Sequence, residues 1–111
     1  MLKSGIDVTN IIVLTGRTDL RKGVDGLAAL IRLNYELDPM DKGTLFLFCG
    51  TRRDRIKGLL YEGDGWLLLY KRLTDGAFQW PRNAAEARRI DRRQFEQLMD
   101  GFTIESSIKS Y

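Results

Sequence analysis

A chain of 111 residues, 43% hydrophobic and 30% charged, has material for one modest core and not for two, so a single domain over 1–111 is expected, folded over about 11–104. Cys49 is its only cysteine and it has no histidine, which excludes an internal disulfide, a cysteine metal cluster, histidine-bound zinc, and Ser-His-Asp or Cys-His catalysis. The formal net charge of +3 is segregated: Thr51 to Arg93 holds 11 of the 18 basic residues against 6 of the 15 acidic ones, an imbalance that favours a polyanionic partner.

No apolar run approaches the roughly 20 residues of a membrane-spanning helix. Asp7 interrupts any signal-like segment near the start, so a cytoplasmic protein without membrane contact is expected. In chain order, Ile11-Ile12-Val13-Leu14 is a β-branched apolar run that suits a buried strand. Asp19 then has the chemistry of a helix cap, and Leu20, Val24, Leu27, Ile31 and Tyr35 repeat with one face of a 3.6-residue period. Gly23 and Gly26 leave a second possibility, a later start near Val24. Leu37-Asp38-Pro39 ends that helix.

Three strand-length segments follow, Thr44–Cys49, Arg55–Glu62 and Trp66–Leu73, separated by Gly50–Asp54 and by Gly63-Asp64-Gly65. Asp-Gly supplies the positive-φ residue of a tight hairpin, and Asp75-Gly76 repeats the signal before Phe78-Gln79-Trp80, read as a short fourth strand of the meander. Pro81 to Ala85 reads as a loop. Asp91 then caps a second helix with Phe95, Leu98 and Met99 on its apolar side and Gly101 at its end, and the polar tail Glu105–Tyr111 is expected to fray. The order β-α-β-β-β-β-α implies an α+β domain, a mostly antiparallel β-meander with both helices on one face.

Alternation along the second of these segments puts Arg55, Lys57, Leu59 and Tyr61 on one side, two cations in line with an aromatic ring. With Arg52 and Arg53 they form a candidate phosphate-binding face, with Tyr61 placed to stack on a base or sugar. The competing reading is a solvated outer strand whose cations pair with Asp54 or Glu62. Arg17, Arg21 and Lys22, around Thr18-Asp19-Leu20 and before Gly23, offer a second cationic patch near a helix start, without the spacing of a nucleotide-binding P-loop. Lys71 and Arg72 are adjacent and so point to opposite faces. Phe46, Phe48 and Trp80 are read as core.

Asp19, Asp25, Asp54, Asp64 and Asp75 are the carboxylates open to a magnesium-dependent nuclease, yet most occupy cap or turn positions where aspartate is favoured structurally. No catalytic residue, metal site or cofactor is therefore assigned.

The blocks TDLRKGVDGLAALI, GTLFLFCGTRRDRIKGLLYEGDGWLLLYKRLTDGAFQWP and LMDG, in that order between about Ile11 and Ile104, resemble the TnpB-type accessory protein of the insertion-sequence family numbered sixty-six. That family is distinct from the RNA-guided nuclease sharing the label. The resemblance implies a small protein encoded beside a transposase and needed for efficient movement of the element. It makes the transposase and DNA the expected partners. A protein adaptor that touches the transposase without DNA is the alternative.

Overall fold

The computed structural model describes residues 8–82 and 85–104. The expected fraying of Glu105–Tyr111 lies outside the described residues. Among the described residues, five strands and two helices run in the order β1 (Asn10–Arg17), α1 (Val24–Asn34), β2 (Thr44–Cys49), β3 (Arg55–Tyr61), β4 (Trp66–Arg72), β5 (Ala87–Ile90) and α2 (Arg92–Met99). The class and the order of elements are those expected from the sequence. The strands form one sheet in the order β4-β3-β2-β1-β5, with β1 and β2 parallel across the α1 crossover and every other pair antiparallel.

The fourth strand after α1 is not where the sequence suggested. Phe78 and Trp80 are buried and Gln79 exposed, but this segment forms no ladder and packs with the core on one face of the sheet. The strand is instead Ala87–Ile90, which lacks an apolar run and is held by antiparallel pairing with β1, Ile11 opposite Ile90 and Leu14 opposite Ala87. An extended segment lying over a sheet alternates inward and outward as a strand does, and this misleads a reading by periodicity.

A second correction concerns the layers. The helices cover opposite faces: Leu27, Ala28 and Ile31 of α1 pack with Leu14, Phe46, Phe48 and Leu59. Leu98 of α2 joins Ile11, Val13, Leu45, Leu47, Ile56, Phe78 and Trp80 on the other. Alternating side chains explain how every residue of β2 is buried, since both of its faces are covered.

The helix ends follow local chemistry. Asp19 does not cap α1: Gly23 is the N-cap, without a side-chain bond, and the later start is the one found. Asp19 instead closes a turn, its carboxylate accepting from the Arg21 amide at 3.0 Å. Asp91 does cap α2, accepting from the Gln94 amide while the Gln94 side chain accepts from the Asp91 amide, both at 2.7 Å.

One irregularity positions the site. The β1–β2 register passes from Val13 opposite Leu47 to Arg17 opposite Cys49, so β1 spends four steps where β2 spends two. Such an insertion bends its strand. At this break the buried Trp80 indole N–H donates to the Leu14 carbonyl at 3.1 Å, and the far end of β1 carries Arg17 alongside the end of β2.

Candidate functional site

Two loops meet beyond the bend. Thr18–Lys22 leaves β1 and Gly50–Asp54 leaves β2, and the Thr18 amide donates to the Cys49 carbonyl at 3.1 Å. A Cβ on Gly50 would lie 3.0 Å from the Thr18 carbonyl and 3.2 Å from Leu20 Cγ, so any side chain at residue 50 would push the loops apart by a few tenths of an ångström. Behind them Arg82 donates to the Cys49 carbonyl at 3.5 Å and to the Gly50 carbonyl, fixing the start of the β2–β3 loop. Burial pushes the Arg82 guanidinium below its usual range and the Cys49 thiol above its own, with Arg82 opposing the latter shift.

Between these loops and the ends of β3 and β4 lies a cleft of about 810 Å³. Arg17 lines it from the end of β1, Arg21 from the first loop, Arg52 from the second, and Arg55 and Lys57 from β3. Leu20, Leu68 and Tyr70 supply apolar surface, and among the described residues Asp19 is the one carboxylate on its lining. Residues separated by more than thirty positions thus converge, and parts of the two patches read separately from the sequence line one cleft. Lys57 links them directly, its Nζ donating to the Lys22 carbonyl at 2.9 Å.

The cations differ in how they are held. Arg55 grips Asp54 through both carboxylate oxygens, at 2.9 and 3.1 Å. That is the pairing expected of a solvated strand, and it holds the Asp54 carboxyl below its usual range. Arg21 makes the same two-pronged contact with Asp19, at 3.0 and 2.9 Å. These side-chain bonds, helped by the Arg21 amide, bring the Asp19 carboxyl down to about 2. Arg17 and Arg52 are exposed, and no ion pair engages either among the described residues.

Three residues expected in the site are elsewhere. Arg53 does not line the cleft; its carbonyl accepts from the Phe78 amide and its charge acts on Cys49 and Arg82. Lys22 contributes its carbonyl, while its aliphatic stem passes Gly26. Tyr61 sits at the opposite end of β3, its ring 4.9 Å from that of Trp66 and its hydroxyl donating to the Gly63 carbonyl at 2.9 Å.

The aromatic ring in the cleft is Tyr70, which alternation along one strand does not single out. It stands opposite Lys57 on β4, with Lys57 Nζ 6.0 Å from the ring centroid. The signal was present in the hairpin: once Gly63-Asp64-Gly65 sets Tyr61 opposite Trp66, counting back four residues pairs Lys57 with Tyr70. Arg72 falls opposite Arg55, and Lys71 opposite Ile56 on the other face, as strand alternation requires.

Among the described residues, no three of His, Cys, Asp and Glu gather as they would around a metal ion, and no helix is long and apolar enough to cross a membrane.

Comparison with known proteins agrees with the motif blocks. The chain is 37% identical over 101 residues to the uncharacterized protein y4hO of Sinorhizobium fredii, covering 91% of this chain and 86% of that one. It is 33% identical over 91 residues to the uncharacterized protein y4jC of the same organism, covering 82% and 77%. No solved structure matches. The family described as IS66 Orf2 like protein matches residues 9–109, and the chain belongs to that family.

Proposed function

We propose that the chain is a non-enzymatic accessory factor of insertion-sequence transposition, holding DNA phosphates in its basic cleft while it assists the element's transposase. The observation that carries this reading is convergence. Among the described residues, five cations from two distant parts of the chain face one cleft against a single lining carboxylate. Two of them, Arg17 and Arg52, make no ion pair among the described residues, although the charge of Arg52 also acts on Asp54. A surface whose only task was solubility has no need of a bent strand and a side-chain-free Gly50 to bring its charges together. Asp19 and Asp54 are bound by arginines and so serve to orient cations, which is a different task from gathering around a metal.

The test is the double substitution Arg17→Gln and Arg52→Gln, which removes charge without stranding a carboxylate. Duplex affinity should fall on all sequences alike, and the slope of log affinity against log salt should shrink by about 0.9 for each phosphate no longer neutralised. An unchanged salt slope together with failure to capture the transposase would replace this reading with the adaptor. Metal-dependent DNA cleavage by the purified protein would replace it with the nuclease.

A further inference from the structure

We propose that the cleft receives an unpaired nucleotide, with the base stacked on Tyr70 and the flanking phosphates on Arg17 and Arg52. The inference rests on the phosphate-binding reading and narrows it to single-stranded DNA, as opposed to the outside of a duplex. Three features of the cleft point this way.

The first is its wall. Leu20 and Leu68 are half-buried, while Arg17 and Arg52 are exposed, so an apolar surface lies beneath a cationic mouth. A duplex presents phosphates and sugars outward and keeps its base faces stacked inside, leaving it nothing with which to cover that surface. An unpaired base has an apolar face to place there.

The second is the ring. Tyr70 keeps 54% of its surface exposed although it lines the cleft. Because β4 is an edge strand among the described residues, the Tyr70 ring has Lys57 of β3 on one side and no further described strand on the other. A base can stack on the open side, and the cation across the ring strengthens an arrangement in which phosphates also approach.

The third is size. At about 810 Å³ the cleft falls within the roughly 300–1,000 Å³ typical of pockets that enclose a small ligand. That suits a nucleotide or two and is too little for the body of a duplex.

Three probes of equal length separate base from backbone: oligothymidylate, an abasic strand with the same phosphates, and a duplex, each titrated at one salt concentration. Oligothymidylate should bind most tightly. Tyr70→Ala and Tyr70→Leu should each weaken it about tenfold, the loss of one stacked base. Both should leave the abasic strand unaffected, and Tyr70→Phe, which keeps the ring, should bind as the parent does. Circular dichroism and the urea midpoint verify folding of each variant. Equal binding of abasic and thymidylate strands, tighter binding of the duplex, or an oligothymidylate affinity that Tyr70→Ala does not change would overturn the stacking proposal while leaving phosphate binding intact. Failure of all three probes to bind would overturn both.

Discussion

Trp80→Phe tests whether the bend in β1 is held by the indole. The substitution keeps an aromatic ring in the core but removes the N–H that donates to the buried Leu14 carbonyl at 3.1 Å. Trp80 is 3% exposed and Leu14 fully buried, so water cannot readily replace the bond. An orphaned buried acceptor costs about 1–3 kcal/mol. The smaller ring adds a void of roughly 40 Å³, which at about 24 cal/mol per Å³ contributes about 1 kcal/mol more. The expected loss is therefore about 2–4 kcal/mol, read from urea unfolding followed by far-ultraviolet circular dichroism. In a domain of this size it corresponds to a fall in Tm of roughly 10–20 °C. DNA affinity should also fall when the variant is assayed well below its Tm, because Arg17 follows the bend. A destabilisation of about 1 kcal/mol with unchanged DNA affinity is what the void alone predicts, and it would refute the role given to the indole.

Asp19→Asn should strengthen DNA binding and steepen its salt dependence, because it removes the carboxylate that lines the cleft and releases Arg21; weaker binding would show that Arg21 must be held in place. Arg21 favours the ionised form of Asp19, so this pair's contribution to stability is present above the ordinary value of 3.8 and lost as pH falls through about 2. An NMR titration of the Asp19 carboxyl should accordingly have its midpoint near 2, moving back up in Arg21→Gln, and a midpoint already ordinary in the parent would contradict the two-pronged grip. Asp91→Ala should lower stability by about 1 kcal/mol, the usual loss of an N-cap, while Asp91→Asn stays close to the parent; equal urea midpoints for the two variants would remove the capping box from the account of α2.

The parts legible in the sequence were those specified locally. The Asp91 cap, the β3–β4 turn, and the apolar runs of β1 and β2 each carry their own signal within a few residues. Strand β5 does not: Ala87-Arg88-Arg89-Ile90 has no strand pattern of its own, and becomes a strand because β1 offers an open ladder. The placing of helices on opposite faces was hidden for a similar reason, since β2, apolar after Thr44, fits burial on both sides but does not identify what covers each face. Of the residues that line the cleft, Arg17, Arg21, Arg52, Arg55 and Lys57 stand out in the sequence by charge and strand alternation. Tyr61 stands out over Tyr70 when alternation within one strand is followed and pairing between strands is not. Arg82 gave no local sign, as its role depends on the carbonyls of Cys49 and Gly50 reaching it across the fold.

The position of β1, between β2 and β5, has a consequence for the order of assembly. The β2-β3-β4 meander joins neighbours through short turns and can form while synthesis continues, whereas Thr15 must wait for Glu86, 71 residues later, before the second side of its strand is paired. Pairings this far apart along the chain are slow to form, and until they do β1 presents an unpaired apolar edge. Emerging chains lacking the last quarter of the sequence therefore carry most of the sheet but leave β1 with one edge open, the state most exposed to misassembly.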